Sequence, residues 1–107
     1  MKLGEAIERG YAQVPGQWGQ TTVYDPDKDT YCAMGLALLG LGEDVLSLQH
    51  SNPDTLYEVF EHYFGLDAQE VYCINDIYSH SYEDVLLNLK QCGLYDKELI
   101  TDENGTS

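Results

Sequence analysis

Along most of this chain, apolar residues return at spacings of three and four, the period of a helix. Leu3, Ala6, Ile7 and Gly10 or Tyr11 predict a helix over 2–12. Residues 31–41, "YCAMGLALLGL", are apolar on nearly every face. A helix without a polar side is buried all round, so this one belongs at the centre of the fold, with Gly35 and Gly40 letting neighbours come close. Asn52 as N-cap and Pro53 as first helical residue open another helix, with Leu56, Val59, Phe60, Tyr63 and Phe64 on one face and Gly65 as its stop. Asp67 with Glu70 three residues on resembles a capping box for a helix over about 68–78, where Val71, Ile74 and Tyr78 share a face. Ser81 and Asp84 open the last helix, 82–92, which turns Tyr82, Val85, Leu86 and Leu89 inward and ends at Gly93. "LYDKELI" adds at most a short turn, and "TDENGTS" reads as a frayed polar tail.

The helical period fails between residues 13 and 30, "QVPGQWGQTTVYDPDKDT", where Gly, Pro and Asp dominate. A short strand at Thr21–Tyr24 and a tight turn through Pro26 suit this stretch. The expected fold is therefore mainly α: a compact bundle of about five helices around a buried helix near 31–41, with room for one short β-hairpin in 18–32. At 107 residues it makes one domain, 1–100, followed by the tail 101–107.

Charge narrows the range of partners. There are 19 acids against 5 bases, a formal net of −14. Residues 1–52 hold seven acids and three bases, a net of −4, and residues 53–107 hold twelve acids and two bases, a net of −10. Lys2, Arg9, Lys28, Lys90 and Lys97 are scattered and form no basic patch, so neither nucleic acid nor an anionic membrane is an expected partner. A protein with a basic surface, or a cation, is what this charge favours, although solubility alone also accounts for it. The longest apolar run, Ala33 to Leu41, is far short of the ~20 residues a membrane span needs. Three cysteines, an odd number, follow an amphipathic N-terminus without an apolar leader core, which fits reduced thiols in a cytoplasm.

Two stretches could carry chemistry. In "YDPDKDTYCAMG", Asp25, Asp27 and Asp29 match positions 1, 3 and 5 of a calcium loop, where alternate oxygen ligands wrap a hard cation. The match stops there: the glycine expected at position 6 is Thr30 and the glutamate expected at position 12 is Leu36. The same residues suit a turn in which Asp29 or Thr30 caps the central helix. Cys32 would then lie in the first helical turn, where the dipole favours a thiolate and the neighbouring aspartates oppose it. His80 as base, Asp76 or Asn75 to orient it and Gln20 as oxyanion donor would complete a cysteine hydrolase. The plainer reading makes Cys32 a small buried core residue. Cys32, Cys73, Cys92, His50, His62 and His80 lack the paired spacing of a structural zinc site, and no cofactor is expected.

The second stretch is "CINDIYSHSYEDVLLNL". Asn75 and Asp76 end one helix, and Ser79 or Ser81 caps the next. Such side chains commonly bond backbone groups where a chain reverses, which would make Asn75-Asp76 a buried corner. Of the nine tyrosines, Tyr31, Tyr63, Tyr72, Tyr78 and Tyr82 lie in or near apolar faces and are expected mostly in the core. Trp18, in the glycine-rich "PGQWGQ", either plugs the core or anchors a partner.

Arg9-Gly10, Trp18 and Gln20, the Asp-rich turn, Cys32-x-x-Gly35-x-Ala37, Asn75-Asp76 and Ser81-x-x-Asp84-Val85-Leu86 follow one another in an order that resembles a family of small, uncharacterised bacterial and phage proteins. That family carries a Trp-x-x-Gly segment, Cys-x-x-Gly-Ala, and Trp-Asn-Asp ahead of a Thr-x-x-Glu-Val-Leu helix. The likeness spans residues about 5 to 92. Leu36 stands where the family has alanine, Ile74 where it often has tryptophan, and Ser79 to Ser81 where it has a Pro-Gly-Arg-Thr type of sequence. The resemblance implies an intracellular protein of no known activity, and it implies that Cys32, Gly35, Asn75 and Asp76 meet in one place. The functional expectation is a non-enzymatic interaction or regulatory module, including an inhibitor that imitates nucleic acid. A small hydrolase using Cys32 and His80 is the alternative.

Overall fold

The computed structural model describes residues 1–100 apart from Thr21 and Asn52, with backbone alone for Ser51, Pro53 and Asp54. Six α-helices and one two-stranded hairpin are found there: α1 Leu3–Gln13, β1 Tyr24–Asp25, β2 Thr30–Tyr31, α2 Ala33–Gly40, α3 Val45–Ser51, α4 Pro53–Phe64, α5 Ala68–Cys73 and α6 Tyr82–Gln91. A π-helical segment, Ile74–Tyr78, continues α5. The mainly helical architecture with a short hairpin is the one the pattern predicts. The expected cap at Asn52 and the expected frayed tail over 101–107 lie outside the described residues.

α2 is the hub. Ala33 through Leu38 are all buried. α1 lies against it, and two glycines set the approach. A Cβ on Gly10 would stand 1.8 Å from the Leu36 carbonyl oxygen, and one on Gly40 would stand 1.9 Å from that of Ala6. Neither contact is possible for any larger residue, so the crossing depends on both. α4 adds Leu56, Phe60 and Phe64, α5 adds Val71, and α6 adds Val85 and Leu89, each at most 1% exposed.

The C-terminal stretch has more to do than make a short turn. Leu3 N–H donates to the Lys97 carbonyl at 2.8 Å and Gly4 N–H to that of Tyr95 at 2.9 Å. These are N–H groups of the first turn of α1, which have no partner inside their own helix. Leu99 N–H reaches the Met1 carbonyl and Ile100 N–H that of Tyr63, both at 2.8 Å. The stretch 95–100 thereby ties the start of α1 to the end of α4.

Three local readings change. α2 begins at Ala33, with Tyr31 in β2 and Cys32 in the N-cap position, so neither Asp29 nor Thr30 is the cap. α3 goes unsignalled by periodicity because it is seven residues long; Asp44 starts it, its carboxylate accepting from Ser47 N–H at 3.1 Å. The helix expected over 68–78 stays α-helical only to Cys73. The wider π turns that follow rotate later side chains away from their α positions. Tyr78, expected inward, is 66% exposed, and Asn75 is fully buried instead. Tyr72 is also outside the core, at 38% exposure. Tyr31 and Tyr63 are buried as expected, and Tyr82 is half-buried, its ring stacked on that of Tyr11 at 3.6 Å.

Candidate functional site: a buried polar joint at Asn75

The hairpin carries the Asp-rich turn. Asp25 pairs with Thr30 and Tyr24 with Tyr31. Two of the carboxylates, those of Asp25 and Asp29, have local uses: Asp25 Oδ1 accepts from the N–H groups of Asp27, at 2.9 Å, and Lys28, at 3.3 Å. This is the side-chain turn typical of aspartate. Asp29 adopts a φ of +55° and accepts from the Tyr24 hydroxyl, 2.8 Å, and from Gln17 Nε2, 2.9 Å. Asp25, Asp27 and Asp29 therefore build a turn, and among the described residues no three His, Cys, Asp or Glu side chains gather where they could hold a metal ion. Cys32 is buried, Cys73 half-buried and Cys92 exposed.

Tyr31 also aligns the preceding loop. Its N–H donates to the Gln17 carbonyl at 2.7 Å and its carbonyl accepts from Gly19 N–H at 2.9 Å. This parallel bridge points Trp18 and Gln20 at the π segment. Trp18 Nε1 donates to Asn75 Oδ1 at 2.7 Å. Ala33 N–H, at the start of α2, donates to the same oxygen at 3.0 Å. Asn75 Nδ2 donates to the Gly19 carbonyl, 3.0 Å, and to Asp76 Oδ1, 2.8 Å. Two donors meet the oxygen and two acceptors meet the nitrogen, so the amide has one orientation and no capacity left over. Asn75 is the missing cap of α2, delivered by a side chain 42 residues away.

Gln20 completes the joint from the other end. Its Nε2 donates to the Ser79 carbonyl at 2.7 Å and lies 3.3 Å from those of Asn75 and Asp76. These are carbonyls at the C-terminal end of the π segment, where a helix leaves acceptors without intrahelical partners. Ser79, also fully buried, donates through Oγ to the Ile74 carbonyl at 2.7 Å and accepts from Asn88 Nδ2 at 3.0 Å. Among the described residues, no buried side-chain nitrogen or oxygen lacks a partner. Ser81 Oγ, accepting from Asp84 N–H at 3.1 Å, is the cap of α6, which leaves Ser79 to the joint.

Cys32 adjoins this network. It is 3% exposed, and burial pushes its thiol up from 9.0 to about 11; the Gly35 and Met34 N–H groups pull the other way, and the Asp76 carboxylate pushes it up further. A neutral thiol packed in the core lacks what a nucleophile needs, a lowered pKa and access. His80 is exposed, its backbone N–H bonded to Asp84 Oδ2 at 3.1 Å. Asp76 acts on the thiol, but against its ionisation.

The structure thus brings together Trp18, Gln20, Asn75, Asp76 and Cys32, each marked from the sequence. It leaves His80 on the surface and the three hairpin aspartates in their own turn. Asn88 escaped notice, although a polar residue beside the inward positions Val85 and Leu89 was its signal. Compared with known proteins, the chain matches no family model, no curated protein and no solved structure.

Proposed function

We propose that this chain is an acidic, non-enzymatic interaction module of the bacterial or phage cytoplasm that binds a partner protein through the partner's basic surface. The observation that carries this reading is the charge, 19 acids against 5 bases. From Asp29 to Leu89, the stretch that includes α2 to α5, the π segment and most of α6, there is no lysine or arginine. In its sharper form, the carboxylates stand where nucleic-acid phosphates would sit on a host enzyme. The Asn75 joint supports a binding role over a catalytic one, because its polar groups are spent on each other and its thiol is held neutral. The resemblance to small bacterial and phage proteins bears on the setting in this reading and not on the role.

The test is affinity capture from a bacterial extract on the immobilised chain, with graded salt elution. A parallel column carries a variant with Glu58, Glu61, Glu70 and Glu83 changed to glutamine. Specific proteins should elute as salt rises, should be displaced by duplex DNA, and should bind the variant poorly. Retention indifferent to salt, or equal on both columns, overturns the reading.

A further inference from the structure

Among the described residues, the most exposed large apolar side chains are Tyr78, 66% exposed, and Ile77, 61%, neighbours in sequence on the π segment. Leu87 on α6 is 53% exposed. Between these elements runs a groove of about 330 Å³ lined by Ile74, Tyr78, Asn88, Gln91 and Cys92. Leu87 precedes Asn88 and lies one helical turn before Gln91, which puts it on the groove's rim. Single exposed apolar residues are ordinary, but apolar residues exposed together beside a groove mark an interaction surface.

The display follows from the joint. Asn75 turns inward to cap α2 and hold Trp18, and Ser79 turns inward to the Ile74 carbonyl and Asn88. With Asn75 and Ser79 fixed inside, Ile77 and Tyr78 between them are left outside. π segments recur at functional places for this reason: they change which side chains face out.

Charge identifies the occupant. Exposed Glu70 lies one turn before Ile74, and Asp84 lies one turn before Asn88, so carboxylates flank the groove on both walls. Exposed Glu83 adds to one of them. Lys90, the nearest lysine in sequence, is drawn off over the Tyr95 ring, 4.9 Å from its centroid. An apolar slot with acidic flanks fits an amphipathic segment that carries a bulky apolar anchor among lysines or arginines. We infer that the groove between the π segment and α6 is the docking site for such a basic, apolar-anchored protein segment, with Tyr78 as its contact centre. This rests on the basic-partner reading above and adds where on the chain the partner sits.

The probes are a synthetic amphipathic Leu/Lys peptide and a Lys/Ser peptide of equal charge without an apolar face, used with the full chain. Cys92 lines the groove and is exposed, so its alkylation by iodoacetamide, followed by mass spectrometry, reports occupancy. The Leu/Lys peptide should bind at low salt and slow Cys92 alkylation severalfold, and the Lys/Ser peptide should not slow it. Tyr78→Ser should weaken Leu/Lys peptide binding about tenfold. Leu46→Ser, at an exposed leucine of α3, should leave it unchanged. Binding with Cys92 unprotected and with Tyr78→Ser unaffected overturns the groove but leaves the basic-partner reading standing. Equal protection by both peptides overturns the apolar anchor. Concentration-dependent protection without peptide shows a second copy to be the occupant and overturns the inference. Failure of both peptides to bind at low salt overturns both readings.

Discussion

The Asn75 amide makes four hydrogen bonds from a position with no solvent exposure. Asn75→Ala would strand the Trp18 indole N–H, the Ala33 N–H and the Gly19 carbonyl, and a buried group left unpaired costs about 1–3 kcal/mol. The variant is expected to lose on the order of 3 kcal/mol, a large share of the ~5–15 kcal/mol typical of a domain. Urea denaturation checks this, and a loss below about 1 kcal/mol would show that the joint is loosely held. Cys32 offers a second measurement. The folded thiol is raised from 9.0 to about 11, so the unfolded chain gives up this proton first as pH rises. Its contribution is fully present below pH 9 and is lost as pH climbs to about 11, amounting to on the order of 2 kcal/mol. Tyr24, Tyr82 and Tyr95, each raised to about 12, act in the same direction at higher pH. Cys32→Ala should flatten the fall in the urea midpoint between pH 9 and about 11, the window set by the thiol shift. An unchanged slope would place the thiol in contact with water.

At the scale of elements, the α1–α2 crossing decides between two opposed effects. Gly40→Ala raises helix propensity by about 1 kcal/mol. The new Cβ would stand 1.9 Å from the Ala6 carbonyl oxygen, which belongs to the α1 backbone and cannot swing aside as a side chain could. Overpacking costs of about 1–3 kcal/mol or more should win. Gly40→Ala, and likewise Gly10→Ala, is expected to lower the melting temperature by roughly 10 °C. A rise would show that the helices separate at little cost. The elements also differ in how far sequence reveals them. α4 and α6 carry their own end signals, Pro53 and Gly65 for one, Ser81 and Gly93 for the other, and both appear close to where those signals put them. α5 has a good start at Asp67, yet its α-helical run ends at Cys73 because distant groups claim Asn75 and Ser79. No local period contains that information.

For the molecule as a whole, the same limit applied to the site. Trp18, Gln20, Asn75 and Asp76 each stand out by residue type, but they meet across separations of 55 to 57 residues that only the packed fold closes. Net charge, by contrast, is read directly from composition and acts on the entire structure. A formal net of −14 on a 107-residue chain destabilises the compact state by self-repulsion. The opposing ion pairs found among the described residues join the Met1 amino group to Glu98, 3.6 Å, and Lys2 to Asp96, 3.2 Å. Their acidic partners are largely exposed, and such pairs contribute about 0–1 kcal/mol each. Salt weakens both terms, but the repulsion involves many more charges, and the Debye length shrinks to about 8 Å at physiological ionic strength. Sodium chloride is therefore expected to raise the melting temperature by a few degrees between low and physiological salt. Differential scanning calorimetry across a salt series measures this. A falling melting temperature would mean that ion pairs outweigh repulsion. A rise with calcium that sodium at equal ionic strength does not reproduce would mean that the Asp25–Asp29 turn holds a cation selectively, and simple screening would then fail as the explanation.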